Sequence, residues 1–170
     1  IKMGLGNLKT RKNTKFVSVN PVKTGYSAIA DEWLGIRPGT DGLFIHSIIY
    51  ELLKANRIDW KYLQRYTNAN WLVINNPGKS DHGLFIRDKN NNPLIFCKKN
   101  KQIQNISIKV SQPSFFGNYE YKEKNLIPAF ELITKDLLND EFKPSKVSSQ
   151  IDIDENVIKR IASEIAETAF

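Results

Sequence analysis

The residues best placed to do chemistry fall in two short stretches near the start of the chain. In Arg37-Pro38-Gly39-Thr40-Asp41 a turn opens directly into an apolar-periodic segment, so Asp41 stands at the mouth of an expected helix. A carboxylate accepts two parallel hydrogen bonds at once. Guanine offers that pair from its N1–H and exocyclic amino group, whereas adenine cannot, and such bidentate pairing is worth roughly 1–3 kcal/mol of discrimination. Aspartate in a first helical turn also serves simply through its interaction with the helix dipole. Spacing alone leaves both roles open. The other stretch, Asn20-Pro21-Val22-Lys23-Thr24, follows a short β-branched run and supplies an amide, an ammonium and a hydroxyl. Ligands of open α/β sheets bind beyond the carboxyl ends of strands, and helix N-termini present unbonded N–H groups. Asn20, Lys23, Thr24 and the turn at 37–41 are therefore expected to line one cleft.

Other chemistries are poorly supplied. Cys97 is the single cysteine, which excludes an internal disulfide and every multi-cysteine metal or iron–sulfur motif. It sits in the apolar run Pro93-Leu94-Ile95-Phe96-Cys97 and reads as a structural thiol, and with only His46 and His82 in the chain a catalytic dyad has little to build on. No catalytic residue and no metal ligand is assigned. Gly4-Leu5-Gly6 lacks the third glycine and the preceding strand of a phosphate loop. The net charge of +7 raises the question of a polyanionic partner. Its two basic runs, Lys9-Thr10-Arg11-Lys12 with Lys15 and Lys98-Lys99-Asn100-Lys101, sit in no nucleic-acid motif and read as solvated surface.

The elements that must hold these residues are short. Phe16–Val19 and Trp33–Ile36 read as strands, with a helical turn over Thr24–Ala30 between them. Leu43, Phe44, Ile48 and Leu52 recur at helical spacing, predicting a helix over Asp41–Ala55 with Thr40 as its N-cap. A second helix is expected over Asp59–Thr67, then a strand at Trp71–Ile74. Leu84–Ile86 and Leu94–Phe96 flank Asn90-Asn91-Asn92-Pro93 and read as a hairpin, and Ile106, Ile108 and Val110 as one more strand. Pro128 suits the first turn of a helix running to about Asn139. Asp152 with Glu155 resembles a capping box before a last helix whose stripe is Val157, Ile158, Ile161, Ala162, Ile165 and Phe170.

The expected fold is α/β, a Rossmann-like three-layer unit of short parallel strands over residues 1–75 and 126–170, with a β-rich antiparallel hairpin insertion at 76–125 in the same domain. A chain of 170 residues with 41% hydrophobic content can bury such a core. No run approaches the roughly 20 apolar residues of a membrane span. The chain opens on Ile1 rather than Met, so we expect it to begin inside a longer polypeptide. Compartment stays open between bacterial cytoplasm and periplasm.

The two stretches closely resemble the molybdopterin oxidoreductases of the dimethyl sulfoxide reductase family, where the first commonly reads Asp-Pro-Arg-Arg-Thr-x-Thr-Ala and the second Ile-x-Pro-Gly-Thr-Asp. The resemblance continues into Tyr66-Thr67-Asn68-Ala69-Asn70-Trp71-Leu72-Val73 and returns loosely at Pro128-Ala129-Phe130 and in the closing helix. It implies that Asp41 holds the guanine of a molybdopterin guanine dinucleotide, with Pro38, Gly39 and Thr40 shaping the turn around the base and Arg37 among the cofactor-binding residues. It implies Asn20 and Pro21 beside the ribose, and Lys23 and Thr24 near the phosphates. Asn20 stands where the family usually has Asp, and Val22 replaces the first Arg of the pattern. The implied cofactor is the bis form with molybdenum. An iron–sulfur cluster would lie upstream, outside this chain. The implied partners are the remainder of a catalytic subunit, together with an electron-transfer subunit. By this reading the chain is a cofactor-holding part of an oxidoreductase, not catalytic alone. A basic nucleic-acid-binding module, or a subunit-interaction module using Phe115, Phe116, Tyr119 and Tyr121, stands as the alternative.

Overall fold

The computed structural model describes residues 14–106 and 112–169. Expectations resting on Gly4, Leu5, Gly6, Lys9, Thr10, Arg11, Lys12, Ile108, Val110 and Phe170 lie outside these residues. In chain order the described elements are β1 (Val17–Val19), β2 (Glu32–Leu34), α1 (Asp41–Lys54), α2 (Trp60–Tyr66), β3 (Leu72–Ile74), β4 (Leu94–Cys97), β5 (Gln102–Asn105), β6 (Tyr119–Tyr121), β7 (Lys124–Pro128), α3 (Ala129–Leu137), α4 (Pro144–Ile151) and α5 (Glu155–Ala169). Two short 3-10 helices, Gly25–Ile29 and Asp140–Phe142, join them. The fold is mixed α/β.

The described residues separate into two compact units, 14–55 with 139–169, and 56–106 with 112–138. In the second of these, β3 pairs with β7 and bridges to Phe85. It therefore belongs with the antiparallel strands.

In the first unit β1 and β2 are parallel, with Val17 opposite Glu32 and Val19 opposite Leu34. One face of this pair meets the helices. Leu34 and Ile36 pack with Phe44 and Ile48 of α1, Val147 and Ile151 of α4, and Ile158 and Ile161 of α5. Fully burying an isoleucine is worth roughly 1.5–3 kcal/mol, so this cluster dominates the unit's stability. The other face is met by the Gly25–Ile29 turn, where buried Ser27 shares a hydrogen bond with Ser18, Oγ to Oγ 2.8 Å. The helix at Pro144–Ile151 is an element the sequence reading lacks. Proline at its first position and Val147 and Ile151 four apart are the signals for it.

Several caps differ from expectation. Asp152 does not start the last helix. It ends α4 in the left-handed conformation (φ 62°), and Asp154 caps α5 by accepting from the Asn156 N–H at 2.8 Å. Pro128 closes β7 and precedes α3 rather than entering it. Ile165, expected in the buried stripe, is 42% exposed.

In the second unit β3, β7 and β6 form an antiparallel sheet and β4 pairs with β5. The asparagine turn is present, organised by Asp88, which accepts from the N–H groups of Asn90 and Asn92 at 2.9 Å each. The ladder of β4, however, runs mainly with Gln102–Asn105. Cys97 is buried, as its apolar run implied. Phe115 is buried among Trp60 and Phe130, and Tyr119 stacks on Phe96 at 3.9 Å between centroids. These aromatics are chiefly local core; Phe116 remains 46% exposed.

Candidate functional site

Because β1 and β2 run parallel, the loops that follow them leave the same edge of the sheet. The first is Asn20–Thr24 and the second Gly35–Thr40. Every site residue read from the sequence lies on one of these loops or on the first position of α1.

The first loop is anchored by its backbone. The Asn20 N–H donates to the Leu34 carbonyl at 3.1 Å, and the Asn20 carbonyl accepts from the Trp33 indole N–H at 2.8 Å. The Asn20 side-chain oxygen accepts from the Val22 N–H at 3.1 Å, an Asx turn that spans Pro21. Its amide nitrogen has no partner among the described residues. Pro21, Lys23 and Thr24 are exposed, and the Lys23 ammonium lies 5.9 Å from the centre of the Trp33 ring. Val22 is 58% exposed and offers no polar group.

The second loop reaches α1 through a tight turn. Gly39 takes φ 81°, a conformation that an L side chain resists, and the Thr40 hydroxyl donates back to the Arg37 carbonyl at 2.7 Å. Thr40 thus occupies the N-cap position without capping, and its side chain leaves the first-turn N–H groups of α1 untouched. Asp41 begins the helix exposed, with no hydrogen-bond or ion-pair partner among the described residues. Pro38 is exposed as well. Arg37 is exposed and already paired within the chain. Its guanidinium grips the Asp152 carboxylate at 3.1 and 2.8 Å, while its N–H donates to the Ile151 carbonyl at 3.0 Å. Arg37 fixes the loop to the end of α4.

The opposite end of the same strands is electrostatically closed. Lys15 bonds Glu32 and Glu164 at 2.8 Å each, and Arg160 bonds both carboxylates too. Lys15, helped by Arg160 and opposed by burial, holds the Glu32 carboxyl below its ordinary pKa, and the same two cations lower Glu164. The four charges at this end satisfy one another, whereas Asp41 at the carboxyl edge has no partner among the described residues. Sequence reasoning missed Trp33 and Asp152. A tryptophan two residues before a glycine was the available signal for the first; nothing local gave the second. The basic residues Lys98 and Lys99 are exposed at the turn after β4. Among the described residues no helix is long and apolar enough to cross a membrane, and no group of His, Cys, Asp or Glu is placed to hold a metal.

No family model matches the chain. It is 36% identical to a subunit of the sulfite dehydrogenase of Allochromatium vinosum over 179 aligned positions, covering 99% of this chain and 18% of that protein. It is 34% identical over 77 positions to the formate dehydrogenase-O major subunit of Escherichia coli, covering 45% of this chain and 8% of that one. The dimethyl sulfoxide reductase DmsA of Haemophilus influenzae is 34% identical over 59 positions, 34% of this chain and 7% of that protein. The chain thus spans less than a fifth of the length of these relatives.

Proposed function

This chain belongs to the molybdopterin oxidoreductases of the dimethyl sulfoxide reductase family, and we propose that within that family it is the part that binds the guanine nucleotide end of a molybdopterin guanine dinucleotide. One observation carries the reading. Asp41 stands exposed at an N-terminus with no side-chain cap, on the sheet edge that also carries Asn20, Lys23 and Thr24. The donor set fits such a ligand. Asp41 supplies the two acceptors that guanine's pairing edge needs. The N–H groups of the first turn of α1, the Lys23 ammonium and the Thr24 hydroxyl supply donors for a diphosphate, favoured there by the helix dipole. The Asn20 amide nitrogen is a further donor, for an oxygen of the phosphate that the ribose carries. Pro38, Gly39 and Thr40 shape the turn, and Arg37, which holds that turn through Asp152, stands beside the ligand.

When bound, the cofactor supplies molybdenum redox chemistry at its far end, and this chain's residues supply position and electrostatics. They hold the nucleotide tail still, and a fixed tail fixes the metal end. The partners of this proposal are the remainder of a catalytic subunit, together with an electron-transfer subunit; the matched relatives from Allochromatium vinosum and Escherichia coli are themselves named as subunits. The test is cofactor content. Asp41→Ala in the full chain should lower bound molybdenum and recoverable guanine nucleotide well below wild type, with the fold intact by circular dichroism. Unchanged occupancy would count against the assignment.

A further inference from the structure

Trp33 is the middle residue of β2, on the face opposite Leu34, and three features tie it to the loop that follows β1. Its indole N–H donates to the Asn20 carbonyl at 2.8 Å. Its ring carries the Lys23 ammonium at 5.9 Å from the centroid, within reach of a cation–π attraction. It also folds over Gly35. A Cβ at that position would come to 2.9 Å of Cη2 and 3.0 Å of Cζ2 of the indole, so a side chain there would push the ring aside, while the φ of Gly35 is not in the left-handed region. Gly35 is the gap that lets the ring lie along the carboxyl edge. With the Asn20 N–H already committed to Leu34, the indole bond leaves both backbone groups of Asn20 fixed on β2. The Asx turn through Val22 then engages the side-chain oxygen and leaves the amide nitrogen of this exposed residue as an unused donor.

We propose that Trp33 is a positioning residue of the nucleotide site, its indole N–H and ring face holding Asn20 and Lys23 where they meet the diphosphate of the ligand. The inference rests on the guanine-nucleotide reading above. It adds a division of labour: Trp33 acts through the phosphate contacts, Asp41 through the base. The loop would otherwise have to be ordered on binding, at a cost in affinity that pre-organisation removes.

The experiment compares GDP with guanosine, which lacks the phosphates, on the full chain purified from cells unable to make molybdopterin. Trp33→Phe keeps an aromatic face and removes the N–H. Gly35→Ala keeps the N–H and displaces the ring by an independent route. Each variant should bind GDP about three- to tenfold more weakly than wild type, the range for one lost hydrogen bond, with guanosine affinity unchanged. Asp41→Asn should weaken both ligands together. The GDP-to-guanosine ratio is the readout, because a merely structural loss lowers both affinities and leaves the ratio where it was. Thermal unfolding of each variant shows which fraction is folded. A wild-type ratio in Trp33→Phe and Gly35→Ala overturns the positioning role while leaving the guanine reading standing. No preference of the wild type for GDP over ADP overturns both.

Discussion

The two ends of the β1–β2 pair are built from similar materials and used differently. At the amino end Lys15, Glu32, Arg160 and Glu164 satisfy one another, and Asp31 accepts from the Phe16 N–H at 2.8 Å. At the carboxyl end Asp41 and the Asn20 amide nitrogen have no partner among the described residues, and Lys23 has only the face of Trp33. Charges that are mutually paired stabilise the fold and are unavailable to a ligand. Charges left unpaired on an anchored backbone add little to stability and keep their full capacity for one. The contrast separates residues that hold the unit together from residues that wait on its rim.

Substitutions can break this contrast in order of size. Ile158, fully buried in the core on which the strand pair packs, should cost roughly 2–5 kcal/mol as Ile158→Ala in denaturant unfolding, and both ends should fail together. Gly39→Ala forces a side chain into φ 81° and should cost about 1–2 kcal/mol, disturbing only the turn before α1. Hydrogen exchange of residues 35–44 would rise while residues 14–19 stay protected. Arg160→Ala removes one cation from the amino end and should cost roughly 0.5–1 kcal/mol with guanine nucleotide affinity unaltered. Asp41→Ala should move stability by less than about 0.5 kcal/mol and abolish the preference for guanine. If Arg160→Ala lost nucleotide and Asp41→Ala lost stability, the division of roles would be reversed.

Acid sharpens the same comparison. Glu32 and Glu164 are held below the ordinary carboxyl pKa by Lys15 and Arg160, so they bind fewer protons folded than unfolded. Their stabilisation is complete above the ordinary glutamate value and is lost as pH falls through the lowered ones. Unfolding free energy should therefore decline below about pH 4.5 in wild type, and the decline should be shallower in Arg160→Ala, where the carboxylates have lost part of what lowers them.

Much of this was legible in the sequence. The β-branched run ending at Asn20, the helical spacing of Phe44, Ile48 and Leu52, and the Pro-Gly-Thr-Asp turn each carry a local signal with a physical cause. Their placement on one edge followed from the parallel order. What was not legible depends on partners far along the chain. The grip of Arg37 on Asp152 joins residues on separate elements, and Asp152 takes a left-handed C-cap where its spacing from Glu155 suggests a capping box. The membership of β3 in the antiparallel sheet is decided by its pairing with β7, which no spacing within Leu72–Ile74 announces. Thr40 looks like a cap by type, yet its hydroxyl turns to Arg37 and leaves the helix mouth open.

The most direct measurement is competition between GDP and ADP for the cofactor-free full chain, run in parallel on wild type and Asp41→Asn. The account predicts that wild type favours GDP by about tenfold or more, as the bidentate pairing implies, and that the variant binds the two alike. Equal binding of GDP and ADP by wild type, or an undiminished GDP preference in the variant, would contradict it.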